Sequence, residues 1–134
     1  MAVAEASPKM RLLAVDDHPD SGELVVRMAK RSGYDAFSTA DPKTVGSLVK
    51  ELRPDVLTMD LCMPEIDAIE LFAVLKQVGF SGHLVIVSGQ DDALRRAAVK
   101  LAGFHGIRVA DDLQKPVDLS ALRHLLTTLQ DFAH

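Results

Sequence analysis

Residues 56–67 read VLTMDLCMPEID, and the fold turns on what that stretch is. Its opening is an apolar run of strand length with almost no polar face, so as a strand it must be covered on both sides, as in a parallel sheet packed between helices. The run stops on a carboxylate, Asp60, with Pro64 four residues on. Asp60 is therefore either the cap of a loop or a reactive group carried to the rim of a sheet. The flanking sequence has to separate the two.

Strand-like and helix-like patterns alternate outward from this stretch. RLLAV (11–15) is a short apolar run, and the helix pattern after it has Pro19 near its start and Gly33 at its stop. YDAFST (34–39) is a weaker strand. Asp41 and Pro42 form an N-cap and first-turn pair for a second helix, with Val45, Leu48, Val49 and Leu52 at helical spacing. Beyond DVLTMD (55–60), Ile69, Leu71, Phe72, Ala73, Leu75 and Val78 give a third helix a wide apolar face that Gly79 ends. HLVIVS (83–88) is the fourth strand, and a helix from about Asp91 carries Leu94, Ala97, Ala98 and Leu101. The pattern then blurs until DLQK (112–115), a short fifth strand, before Asp118 caps a last helix with Leu119, Leu122, Leu126 and Leu129. Five strands alternating with five helices predict an α/β doubly wound parallel sheet, because a parallel crossover needs a helix-length connection.

At 134 residues the chain fits one domain, expected over 10–131 after a flexible lead over 1–9. Aromatic residues are 4% of the chain and Trp is absent, so aliphatic packing must supply the core. The single cysteine, Cys62, permits no internal disulfide, and neither a leader pattern nor a membrane-length apolar run is present. A cytoplasmic location is the expectation. A net charge of −4 argues against direct nucleic-acid binding.

In such a sheet the ligand site lies beyond the carboxyl ends of the strands. Asp16 and Asp17 follow the first strand, Asp60 ends the third, Ser88 ends the fourth and Lys115 closes the fifth. Singly, each has an ordinary reading as a cap or a solvated charge. Together they place three carboxylates on one rim, where they repel one another. A hard divalent cation such as magnesium, which binds through one or two carboxylates plus water and phosphate oxygens, would relieve that repulsion. With Lys115 and Ser88 facing a phosphoryl group, the set describes phosphoryl transfer, the Asp60 carboxylate being the nucleophile of an acyl phosphate. The five histidines, at 18, 83, 105, 124 and 134, show no transition-metal spacing and read as surface or packing residues.

LLAVDDHP, DVLTMDLCMPEIDAIEL, VIVSG and LQKPVDL together resemble the response regulator receiver domain of bacterial two-component systems, over about residues 10 to 130. The resemblance implies a flavodoxin-like (βα)5 sheet of order 2-1-3-4-5. It implies Asp60 as phosphoacceptor, magnesium held by Asp16, Asp17, Asp60 and the Cys62 backbone carbonyl, and Ser88 and Lys115 on the phosphoryl group. It also implies a histidine kinase or histidine phosphotransfer protein as donor and an output partner or effector domain as recipient. A homodimer is left open, no membrane contact is implied, and the only catalysis is the domain's own phosphorylation and dephosphorylation. The segment from Leu101 to Leu126 is similar to receivers attached to cyclic-di-GMP phosphodiesterase domains of the EAL type.

Three features depart from the family pattern. Ala68 stands where Gly is usual, which predicts a slightly altered loop. The interval from Ser88 to Lys115 is several residues longer than usual, and its Gly103–Asp111 stretch is expected to be a mobile element that carries the signal. Asp112 occupies the position of an aromatic or histidine readout residue and is expected to stay outward, since an unpaired buried carboxylate is costly. Three other readings compete. A haloacid dehalogenase-type phosphohydrolase would need a second Asp where Cys62 stands, and a phosphorylation-independent interaction module would not need the intact acids, Ser88 and Lys115. A flavin-binding relative would need a Ser/Thr- and Gly-rich phosphate loop where DDHPDSG offers acids.

Overall fold

The alternation of strand residues between two helical layers organises the molecule, whose computed structural model describes residues 9–61, 68–89 and 91–132. The strands are β1 (Arg11–Val15), β2 (Asp35–Thr39), β3 (Val56–Met59), β4 (His83–Ser88) and β5 (Arg108–Gln114), all parallel in the order β2-β1-β3-β4-β5. The helices are α1 (Pro19–Arg31), α2 (Val45–Leu52), α3 (Ala68–Gln77), α4 (Asp92–Phe104) and α5 (Leu119–Phe132). Successive strand side chains point to opposite faces. Leu13, Val15, Leu57, Met59, Leu84 and Ile86 therefore meet α2, α3 and α4, while Leu12, Ala14, Val56, Val85 and Val87 meet α1 and α5. That is why the central strands read as continuous apolar runs. The predicted flavodoxin-like architecture and strand order are those of the structure. Among the described residues no helix is long and apolar enough to cross a membrane.

Four expectations need correction. Asp41 caps a 3-10 turn over Pro42–Thr44, accepting a bond from the Lys43 N–H at 2.9 Å, and α2 starts only at Val45. The α3 face is narrower than predicted, since Ile69 and Ala73 are exposed. The buried face of α4 is Arg95, Ala98 and Ala102, one residue round from the predicted apolar set, with Leu94 left exposed. Finally, β5 begins at Arg108 and runs for seven residues, absorbing the last four residues of the stretch expected to be mobile. Gly103 lies inside α4, Gly106 makes the turn after it at φ 74°, and Ile107 is buried. One residue of the added length goes into a bulge: Leu84 pairs with Val109 but Val85 pairs with Asp111, leaving Ala110 as the extra residue.

Gly82, just before β4, has a packing reason. A Cβ there would collide with the Asp55 carbonyl oxygen and meet the Pro54 carbonyl oxygen at 2.8 Å, both backbone atoms that cannot swing away. Gly82→Ala is expected to destabilise the fold by ~1–3 kcal/mol, the usual range for overpacking. Urea titration should show a lowered midpoint at unchanged slope, and a wild-type midpoint would contradict this contact.

Candidate functional site

The chain runs from β1 through α1 to β2 on one side and later returns to β3 on the other, so strand order reverses between β1 and β3. This is where a doubly wound sheet opens a crevice. Val15 is in register with Met59, so the next residues, Asp16 and Asp60, leave adjacent strands side by side at that crevice. Backbone bonds hold both, from the Asp16 N–H to the Thr39 carbonyl at 3.2 Å and from the Asp60 N–H to the Val15 carbonyl at 3.0 Å. Both carboxylates are buried, Asp60 being 4% exposed. Neither is a helix cap. His18 is the N-cap residue of α1 and makes no side-chain cap bond, while Asp91 caps α4 by accepting from the Leu94 N–H at 2.8 Å. The capping alternatives for the acidic pair and for Ser88 thus fall away.

Lys115, immediately past β5, is brought back over the strand ends. Its Nζ donates to Asp16 Oδ2 at 2.8 Å and to Asp60 Oδ2 at 3.2 Å. Burial alone would push this lysine's pKa down, but the hydrogen bond to Asp16 and the charge of Asp60 outweigh it and the net direction is up. The ammonium therefore relieves part of the carboxylate repulsion that the sequence assigned wholly to a metal ion. Ser88 is fully buried, and its carbonyl accepts from the Lys115 N–H at 2.9 Å, which ties the two residues together. Cys62 and Pro64 lie outside the described residues, as does His134.

The sequence set His18 aside, yet its Nδ1 lies 3.0 Å from Asp17 Oδ1, and its N–H donates to Asp16 Oδ1 at 2.9 Å. Asp16, Asp17, His18 and Asp60 each offer a ligand atom, all within 4.8 Å of one another. Its position directly after the acidic pair was the available signal. Oxygen donors dominate this set, which suits a hard cation with room for water or phosphate oxygens. A cavity of about 200 Å³ adjoins the cluster, with Asp16 and Lys115 at one side and Leu24, Val25, Val117 and Leu119 among its walls. A larger cavity of about 760 Å³ opens at the opposite, amino end of the strands, beside Arg53 and Arg108, and contains none of these acids.

Asp112 does not stand free in solvent. It is half-buried, and Arg95 Nη1 donates to its Oδ2 at 3.4 Å. The aspartate expected to stay outward is thus half-buried and ion-paired.

The family model of the response regulator receiver domain matches residues 12–127. Response regulator MprA of Mycobacterium leprae is 32% identical over 114 residues, 84% of this chain and 47% of that protein. The DNA-binding response regulator MtrA of Mycolicibacterium smegmatis is 32% identical over 68 residues. The chain spans about half the length or less of these curated relatives. Among solved structures, a response regulator from Colwellia psychrerythraea superposes with a TM-score of 0.80 at 25% identity, over 93% of this chain and 99% of that one. The signal receiver domain of a response regulator from Bermanella marisrubri gives 0.73 at 26% identity, over 95% and 100%.

Proposed function

The chain belongs to the response regulator receiver domain family, and on that premise we propose that it is a signalling switch that accepts a phosphoryl group on Asp60 from a phosphohistidine. The observation that carries this reading is the pairing of Lys115 Nζ with both Asp16 and Asp60 at the strand-order reversal, which sets a cation beside a buried carboxylate. An Asp60 oxygen attacks phosphorus, the phosphorus–nitrogen bond of the donor breaks, and the leaving imidazole keeps the electron pair and takes a proton from solvent. In this reading Lys115 and the Ser88 hydroxyl receive charge that develops on the phosphoryl oxygens. Asp16, Asp17 and Asp60, with the Cys62 carbonyl, would hold magnesium, which supplies neutralisation of the phosphoryl oxygens when bound. The domain catalyses only its own phosphorylation and dephosphorylation. Its donor is a histidine kinase or histidine phosphotransfer protein, and its recipient an output partner or an effector domain. The finer likeness to receivers joined to EAL-type domains rests on residues 101–126.

The test is uptake of phosphate from acetyl phosphate, read by intact mass with and without magnesium. One phosphoryl group per chain is expected with the ion and almost none after chelation. Asp17→Ala should weaken magnesium binding more than Asp16→Ala, because Asp16 is already engaged by Lys115 while Asp17 is free of it. Calorimetry showing wild-type affinity in Asp17→Ala would contradict that assignment of ligands.

A further inference from the structure

Arg95 is the one charged side chain buried in the α4 face, 8% exposed, and no described residue of the phosphoryl site pairs with it. A buried guanidinium is tolerated only when paired. Its partners come from two elements: Asp92 in the first turn of α4, contacted by Nη2, and Asp112 on β5, contacted by Nη1. Its Nε is buried and has no hydrogen-bond partner among the described residues. The pairing is thus incomplete as well as unusual in place.

Its location gives it a role. β5 is an edge strand with only β4 beside it, its residues are exposed or half-buried, and its ladder is interrupted at Ala110, two residues before Asp112. Val109, Ala110 and Leu113 pack against the two cores, but no β5 side chain is fully buried. After the bulge the register runs from Asp111 opposite Val85 to Gln114 opposite Ser88, and the next residue is Lys115. The clamp on Asp112 therefore restrains the short length of strand that presents the lysine. We propose that Arg95 is a positioning residue that acts through Asp112: it fixes the end of β5 so that Lys115 meets Asp60, and it couples the phosphorylation state of Asp60 to the α4–β5 contact.

This inference rests on the reading of Asp60 as phosphoacceptor. A phosphoryl group on Asp60 adds charge on one side of a lysine now shared with Asp16, and a shift of Lys115 is passed along three residues to Asp112. Movement of Asp112 towards the unsatisfied Nε gives the guanidinium a further charge-assisted bond, so phosphorylation tightens the clamp. Coupling is reciprocal, so loosening the clamp must make phosphorylation of Asp60 less favourable at equilibrium, and the misplaced Lys115 slows the transfer.

Arg95→Met, Asp112→Ala and the double variant test this against wild type. Each is treated with acetyl phosphate and magnesium and followed by intact mass for rate and by hydrogen exchange over residues 108–114 in both states. Wild type is expected to gain protection there on phosphorylation. Each single variant is expected to lose that gain and to be phosphorylated on the order of tenfold more slowly, as a misplaced reacting group is. The double variant should be no slower than the singles. If Arg95→Met fails to fold, Asp112→Ala carries the test, since it leaves Asp92 as a partner for the arginine. Phosphorylated variants that keep the wild-type gain, or a double variant whose losses multiply, overturn the clamp alone. Absence of any phosphorylation of wild type overturns the underlying reading and the inference with it.

Discussion

Asp60→Asn is expected to fold as the wild type does and to take up no phosphoryl group. The substitution keeps the size of a side chain that is 4% exposed at the end of β3, and the backbone bond from residue 60 to the Val15 carbonyl is unaffected. Lys115 keeps Asp16 as a partner at 2.8 Å. The thermal midpoint should move by only a few degrees, in line with a change of about 1 kcal/mol. An amide lacks the nucleophilic carboxylate, so the effect on chemistry is complete where the effect on stability is slight. Intact mass after acetyl phosphate treatment reads the first and thermal unfolding the second. Labelling of Asp60→Asn at the wild-type level contradicts the assignment.

Lys115→Ala should move two quantities in opposite directions. Removing a donor aimed at developing charge typically costs ~10²–10³ in rate, and phosphorylation of the variant should fall by about that factor. Magnesium affinity should rise, because the lysine that now neutralises Asp16 and Asp60 is gone and their mutual repulsion favours a cation. A structural defect would lower both, so the opposed signs identify the lysine's role. Calorimetry and single-turnover labelling measure the pair, and a fall in both quantities contradicts it. The pH response follows from the same contacts. Burial works against the ammonium but Asp16 and Asp60 outweigh it, so the lysine's folded value lies above its unfolded one. The stabilisation is therefore full below the unfolded lysine value and is lost only as pH rises through the higher folded one. Lys115 stays charged throughout the neutral range.

The parts of this molecule that the sequence announces are those whose environment is simple. β1, β3 and β4 are covered on both faces and read as apolar runs, and the residues that follow them, Asp16, Asp60 and Ser88, could be assigned to one rim before any geometry was known. β5 was legible only at its end. As a half-exposed edge strand carrying Arg108, Asp111 and Asp112, it has no continuous apolar signature, and a bulge breaks its period. Arg95 was hidden for a different reason. Helical spacing assigned the buried face to Leu94 and its neighbours, but two carboxylates, one of them seventeen residues away on β5, make burial of the arginine tolerable and turn the helix by one position. His18 has the same character, since its relation to the acids depends on how the chain turns after β1.

The central claim is that Asp60 carries the phosphoryl group as an acyl phosphate. Wild-type protein treated with acetyl phosphate and magnesium, reduced with borohydride and mapped by peptide mass, tests it most directly, because only an acyl phosphate is converted by hydride to an alcohol. The account predicts homoserine at position 60 and nowhere else. Reduction at position 16 or 17, or phosphate that survives borohydride on Ser88, would contradict it.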